Sequence, residues 1–332
     1  MSEHLRRRTR PLIGAALLAA LAWWYPVEAF TDAFVSLDGR TLFAASAIGL
    51  VTTVLCAARW ILVARGVGLH LPWARAVGDY YRAVLLNAVL PSGILGDVHR
   101  ALGHGRYAGD LPRGVRAVVL ERAAGQVVLA ATGAILLFTL PAALLGPGLL
   151  TVAASLALPA LVAAAVGAGL LFTRRHHTRR RHALAAAIAD ARAGLFTATT
   201  GPGVLVSSVA ALAGHVTLFL VAAHATGVTA PLSTLVPLAV SALVAMSVPA
   251  GIGGWGPREA VAALTFGTAG LGSATGLTVS VLYGLLALVA ALPGVVVLLW
   301  RLRPVEHVQI PGEGLGQGRQ QVTPLVRRGA RR

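Results

Sequence analysis

Long apolar segments separated by short polar ones dominate the pattern of the chain. About 20 consecutive apolar residues let a helix cross a bilayer, and a helix satisfies its own backbone hydrogen bonds in lipid. The pattern therefore predicts an all-α polytopic membrane protein with about six spanning helices. The predicted spans are Leu12–Ala29, Thr41–Val63, Val115–Leu140, Gly148–Phe172, Gly203–Ala223 and Gly276–Trp300.

Two weaker apolar segments, Ala83–Leu95 and Leu232–Ala250, end in breaks rich in glycine and proline. Both breaks follow the pattern Pro-x-Gly-Ile-x-Gly-x-x-x-Arg, and the second copy lies 158 residues after the first. Chance is one explanation in a chain with 38 glycines. The alternative, which we favour, is two re-entrant helical hairpins arranged as an inverted repeat, as in many transporters. The predicted turn residues are Pro91, Gly93, Gly96, Pro249, Gly251, Gly254 and Gly256.

Composition supports the membrane class, because only 12% of the residues are charged against roughly 25% in soluble domains. The net charge of +16 comes from 28 arginines, since the chain has no lysine. A phosphate-binding P-loop needs a lysine, so that motif is excluded. The single cysteine, Cys56, excludes a disulfide framework within the chain. We predict no cofactor, no metal site and no nucleic-acid partner.

The arginines also predict an orientation, because 25 of the 28 fall in four regions that share one side if the six long segments cross. The positive-inside rule makes that side cytoplasmic. We therefore expect a multi-pass protein of the cell (inner or plasma) membrane, with both termini in the cytoplasm. A cleaved signal peptide at the N-terminus is the alternative for the first segment. The first hairpin should then enter from the cytoplasm, and the second, which continues through Arg258–Gly270, from the opposite face.

The same pattern divides the chain into a basic arm, one transmembrane domain and a tail. We expect the cytoplasmic arm over residues 1–10, the transmembrane domain over 11–301 and a disordered cytoplasmic tail over 302–332. The domain consists of halves at about 11–172 and 203–301, joined by the basic loop 173–202.

Six ionisable residues lie near the two breaks, where charge is costly unless it is paired or hydrated. They could form structural ion pairs, for example between Asp97 and Arg122. Alternatively they could line a polar cavity in which Arg100, Arg122 and Arg258 bind a phosphate group, a pairing that suits guanidinium geometry. The acidic residues would then orient the arginines or accept a coupling proton. The full set is Asp97, Arg100, Glu121, Arg122, Arg258 and Glu259.

Three motifs in order, "NAVLPSGILGDVHRA", "AVVLERAAG" and "VPAGIGGWGPREA", resemble the lysylphosphatidylglycerol synthase transmembrane-region family. The resemblance covers about Thr41 to Trp300. The family commonly has two glycines before the aspartate, and Leu95 occupies the first of these places here. The matching positions are Asn87, Pro91, Gly96, Asp97, Arg100, Glu121, Arg122, Gly256, Arg258 and Glu259.

The resemblance implies a lipid-translocating or lipid-binding module, without the soluble aminoacyl-transferase domain that some members carry. We expect a lipid flippase for an anionic lipid, with Asn87 and the six ionisable residues as its substrate-binding residues. One alternative is a membrane enzyme, or the membrane subunit of an enzyme, that acts on lipid-linked sugars. A non-catalytic scaffold is another, and a partner enzyme in the membrane or cytoplasm is left unspecified.

Overall fold

The computed structural model describes residues 27–90, 93–139, 177–247 and 255–302, and the regular secondary structure of these residues is helical. The helices in chain order are α1 (Val27–Val35), α2 (Gly39–Gly66), α3 (Trp73–Val89), α4 (Leu95–Ala108), α5 (Leu111–Thr139), α6 (His177–Leu195), α7 (Gly201–Ala225), α8 (Leu232–Met246), α9 (Pro257–Thr268), α10 (Ser273–Ala291) and α11 (Pro293–Leu302).

Four predicted spans are confirmed as helices long and apolar enough to cross a membrane, and the protein is a multi-pass membrane protein. The predicted segment Gly148–Phe172 and most of Leu12–Ala29 lie outside the described residues, so the total of six stays a prediction. The four helical segments are Gly39–Gly66, Leu111–Leu136, Gly201–Ala225 and Ser273–Leu299.

The first of these spans begins at a well-defined cap. The Asp38 carboxylate accepts a hydrogen bond of 2.8 Å from the backbone N–H of Thr41, and the Thr41 hydroxyl oxygen accepts one from the N–H of Asp38. Such reciprocal bonds satisfy N–H groups that lack a partner at a helix start. The hydrogen bond from Thr41 lowers the pKa of Asp38, because it stabilises the charged carboxylate.

Helices α2 and α7 pack side by side and run antiparallel. A Cβ atom added at Gly203, near the start of α7, would lie 2.8 Å from Leu62, near the end of α2. At Gly214, further along α7, the nearest atom would belong to Thr52. The end of α2 therefore lies beside the start of α7, and the start of α2 lies beside the end of α7.

The first predicted hairpin is present as two packed helices with a break between them. Helix α3 ends at Val89 and α4 begins at Leu95. Gly93 has a φ of 62°, a left-handed conformation that favours glycine. A Cβ at Gly96 would lie 2.1 Å from the Ala83 carbonyl oxygen, so only glycine permits this approach. The turn residue Pro91 lies outside the described residues.

The second hairpin has the same form. Helix α8 ends at Met246, and α9 begins at Pro257. Proline is tolerated in the first turn of a helix, because the N–H group that it lacks would have no partner within the helix. Gly256, which precedes it, has a φ of 107°. The turn residues Pro249, Gly251 and Gly254 lie outside the described residues.

The two hairpins are attached at opposite ends of the α2/α7 pair. The first leaves from the end of α2 and leads to α5, and the second leaves from the end of α7 and leads to α10. Each has its own apolar core, one containing Trp60, Tyr80 and Ala101, the other containing Leu243, Phe266 and Tyr283. This arrangement is what an inverted repeat requires, and the repeat itself stays a prediction.

The close approach of α3 and α4 generates a stability prediction. We expect Gly96→Ala to lower the free energy of unfolding by about 1–3 kcal/mol, because the new methyl group overlaps the Ala83 carbonyl. Thermal unfolding of the purified protein in detergent measures the effect. Gly103→Ala in the same helix is the matched control, since a Cβ there meets nothing within 4 Å. Equal unfolding temperatures for the two variants would contradict the packing of this hairpin.

Candidate functional site

Five ionisable side chains from three helices form what we call the first charged cluster. Helix α2 contributes one, and α4 and α5 contribute two each. Its members are Arg59, Asp97, Arg100, Glu121 and Arg122.

The carboxylate of Glu121 is the centre of this cluster and has no exposed surface. One of its oxygens accepts hydrogen bonds from Arg59 Nη2 at 2.5 Å and from the Tyr80 hydroxyl at 3.2 Å. The other accepts one from Arg100 Nη2 at 2.7 Å. Glu121 therefore links α2, α3 and α4 to α5.

Asp97 links the hairpin to the same span. It accepts hydrogen bonds of 2.8 Å from Arg122 Nε and 2.9 Å from Arg100 Nη2, so the Asp97–Arg122 ion pair that the first alternative named is present. The Asn87 amide donates to Asp97 at 2.8 Å, and its oxygen accepts from the Gly96 N–H at 2.8 Å. Asn87 thus holds the end of α3 against the start of α4.

The guanidinium group of Arg100 is enclosed by aromatic rings and is only 1% exposed. Its Cζ atom lies 4.5 Å from the ring centre of Trp60 and 4.4 Å from that of Tyr80. Arg100 Nε and Nη1 have no hydrogen-bond partner among the described residues. Buried donors are nearly always satisfied, so these atoms mark a place where an acceptor is favoured.

Arg122 differs from the other arginines of the cluster because 41% of its side chain is exposed. Its Nε and Nη2 atoms are bound to Asp97. The described residues form no hydrogen bond with its Nη1 atom. The cluster contains three arginines and two carboxylates, which gives it one net positive charge.

A second charged cluster, which we define as Arg258 and Glu259, lies at the second hairpin. Arg258 Nε donates to Glu259 at 2.9 Å and to the Ser280 hydroxyl of α10 at 3.0 Å. Glu259 also accepts from the Gly256 N–H at 2.7 Å and so caps α9. Both side chains are at most 1% exposed.

The two arginines that follow the breaks have similar surroundings. Arg258 lies 5.0 Å from the ring centres of both Trp255 and Tyr283, as Arg100 lies between Trp60 and Tyr80. Each also forms a hydrogen bond with the next span, Arg100 with Glu121 and Arg258 with Ser280, which are 21 and 22 residues later. These contacts extend the sequence similarity of the two breaks into three dimensions.

His215 of α7 lies between the clusters. Its Nδ1 atom is 3.4 Å from the hydroxyl of Tyr283, and it is within electrostatic range of Arg59 and Arg122. Glu121 is ten residues from the start of α5, about 15 Å at 1.5 Å per residue, and Ser280 is seven residues from the start of α10, about 10 Å. The two clusters therefore lie inside the bundle, and the hairpins that carry them are attached at its opposite ends.

Several site residues lay outside the predicted set, and only one had a signal in the sequence. Arg59 falls inside the predicted span Thr41–Val63, and an arginine in an apolar segment marks a functional candidate. The polar and aromatic partners carry no such signal, because only tertiary packing brings them to the arginines. They are Trp60, Tyr80, His215, Ser280 and Tyr283.

The carboxylates divide between the two clusters, since Asp97 and Glu121 share Arg100 while Glu259 pairs with Arg258. Within residues 27–90, 93–139, 177–247 and 255–302, no group of three or more histidine, cysteine, aspartate or glutamate side chains is placed to hold a metal ion.

Comparison with known proteins places this arrangement in a family. The family described as "Lysylphosphatidylglycerol synthase TM region" matches residues 12–294 of the 332-residue chain. The chain belongs to this family. Its matched region includes every residue of both clusters, and membership supports a membrane function related to lipids. No curated protein and no solved structure matches the chain.

In this member of the lysylphosphatidylglycerol synthase transmembrane-region family, the burial of Glu121 generates a second stability prediction. We expect Glu121→Ala to lower the free energy of unfolding by about 3–5 kcal/mol, because Arg59 and Arg100 would lose a buried counter-charge. Chemical unfolding in detergent measures the difference.

Arg113→Gln is the control, because its pair with Asp110 is 42% and 35% exposed and should contribute less than about 1 kcal/mol. A loss for Glu121→Ala that is no larger than the control's would show that the cluster does not hold the helices together.

Proposed function

We propose that the protein is a lipid flippase, which moves a phospholipid or other anionic lipid between the leaflets of the membrane without catalysing a reaction. The observation that carries the proposal is the partly exposed Arg122 inside a cluster with one net positive charge. An unbalanced charge about 15 Å from a helix end is costly in a membrane unless an anion or water meets it.

Phosphate suits this position because a guanidinium group binds phosphate oxygens through paired N–H donors. Arg122 offers an exposed edge, while Asp97 holds the other edge in place. The carboxylate orients the arginine and also moderates its affinity for an anion, which a transporter needs if the lipid is to leave again. Family membership supports the lipid as the source of the phosphate.

The two hairpins support transport in particular. Interrupted helices in two halves that enter a bundle from opposite ends are typical of secondary transporters with inverted repeats. Non-helical backbone at membrane depth is tolerated where protein covers it or where it lines a wet cavity. We therefore propose that the two hairpins are re-entrant and form an inverted repeat.

We also propose that the protein lies in the cell membrane and that its arginine-rich end faces the cytoplasm. Gly66 at the end of α2 packs against Ala193 and Gly194 of α6, and Arg116 of α5 forms a 2.6 Å ion pair with Asp190 of the same helix. The arginine-rich segments between α2 and α5 and around α6 thus meet at one end of the bundle, as the positive-inside rule requires.

Reconstituted vesicles test the proposal. Purified protein in vesicles that contain a trace of head-group-labelled phosphatidylglycerol should expose the inner-leaflet label to an external quencher faster than protein-free vesicles do. We expect Arg122→Gln to slow this exchange by about ten- to hundredfold, since hydrogen bonds to charged groups contribute about 1.5–3 kcal/mol.

The matched control is Arg116→Gln, which removes an arginine from the same helix about 1.7 turns closer to its start. Its exchange rate should stay within about twofold of the unaltered protein, because its ion pair with Asp190 lies outside the cluster. Exchange no faster than in protein-free vesicles would refute transport of that lipid. Equal losses in both variants would refute the role of Arg122.

A further inference from the structure

The two hairpins present similar arginines in different electrostatic settings. At the first hairpin, three arginines face two carboxylates. At the second, Arg258 faces Glu259, so the pair is neutral. The sequence repeat alone would suggest two equivalent halves, and their net charges distinguish them.

The arginines of the two clusters also differ in how many of their nitrogens have hydrogen-bond partners. All three nitrogens of the Arg258 guanidinium have partners: Glu259 binds Nε and Nη2, Ser280 also binds Nε, and the Met246 sulfur lies 3.9 Å from Nη1. By contrast, Arg100 keeps two buried nitrogens without partners among the described residues. Buried guanidinium nitrogens without any partner among the described residues are therefore found at the first cluster.

Exposure agrees with this difference. The Arg258 side chain is 1% exposed and is covered by Trp255 and Tyr283, so a head group would have to displace these rings to reach it. Arg122 is 41% exposed and needs no such displacement. Among the arginines of the two clusters, Arg122 therefore has the most exposed side chain.

We propose that the head group binds at the first charged cluster alone, that this site selects lipids with one net negative charge, and that the Arg258–Glu259 pair is structural. The lipid nature of the ligand rests on the proposed function. The pair fastens the start of α9 to α10 through Ser280 and caps α9 at Gly256. Arg258 is thus a positioning residue for the second hairpin.

Charge balance defines the substrate class. A phosphodiester with an uncharged alcohol, such as phosphatidylglycerol, brings one negative charge and makes the cluster neutral. The phosphate of a zwitterionic lipid also brings an ammonium group, which the arginines repel. A lysine ester of phosphatidylglycerol carries two ammonium groups and should bind least well, because like charges at short range oppose binding.

A binding measurement tests this inference separately from transport. The full-length protein in detergent is offered phosphatidylglycerol, phosphatidylcholine and lysylphosphatidylglycerol with identical acyl chains, and native mass spectrometry gives the bound fraction of each. We expect phosphatidylglycerol to bind about tenfold more tightly than phosphatidylcholine, which corresponds to about 1.4 kcal/mol. Lysylphosphatidylglycerol should bind more weakly than either.

Variants of the two clusters should differ in their effect on this selectivity. Arg122→Gln should bring the ratio of the phosphatidylglycerol and phosphatidylcholine affinities to about one, and Arg122→Lys, which keeps the charge, should retain most of it. Ser280→Ala, which removes a hydrogen-bond partner of the second cluster, should leave the ratio unchanged. So should the charge-neutral double variant Arg258→Gln, Glu259→Gln, in which glutamine keeps an acceptor for the Gly256 N–H. Thermal unfolding selects the folded variants, and Ser280→Ala and Arg122→Lys are the mildest changes in each cluster.

A ratio near one in the unaltered protein would overturn the inference, as would a ratio that survives Arg122→Gln or is lost in folded Ser280→Ala. These outcomes are distinct from failure of the proposed function. A protein that binds phosphatidylglycerol selectively but does not speed its exchange between leaflets refutes transport and keeps the site. A protein that exchanges all lipids equally and binds them equally keeps transport and refutes the site.

Discussion

One buried carboxylate, Glu121, neutralises arginines from two different helices, and the first half of the bundle depends on this sharing. An isolated guanidinium in a low-dielectric interior costs several kcal/mol, so Arg59 and Arg100 can be buried only where a carboxylate meets both. Its two oxygens face different partners, which fixes α5 relative to α2 and α4 at once. The Tyr80 hydroxyl adds α3 to the same point. Four helices thus converge on a single side chain.

This convergence gives the hairpin its position and, through it, the site its geometry. Once Arg100 is held by Glu121, Asp97 lies one helical turn away on the same face of α4, where it meets Arg122. Asn87 then closes the break from the α3 side. Asp97 binds one edge of the Arg122 guanidinium and leaves the other edge without a hydrogen bond to the described residues.

Hydropathy predicted four of the described helices as spans because an apolar segment of about 20 residues has few alternatives to a membrane helix. The hairpin breaks were also predictable, since glycine and proline mark the places where a helix cannot continue. The Asp97–Arg122 pair followed from the cost of unpaired charge. The role of Arg59 was not predicted, although this arginine lies within an apolar segment where a charge needs a partner. The pairing of Arg258 with its own neighbour Glu259 was less accessible, because adjacent residues on a helix do not normally face each other; here both lie in the first turn, where Glu259 folds back to cap Gly256.

In the proposed transport, the similar form of the two hairpins and their different net charges have different consequences. A ligand shifts an equilibrium between two arrangements of a protein only as far as its affinity differs between them. A neutral and buried pair such as Arg258 and Glu259 offers an anion little difference in either arrangement. A cluster with one uncompensated positive charge does offer a difference, because opening it to water or closing it around a phosphate changes its electrostatic energy. His215 and Tyr283 lie between the clusters, and the contact between them joins α7 to α10. Under the proposed function, the charge at the first cluster is therefore the feature through which a lipid head group would act on the bundle.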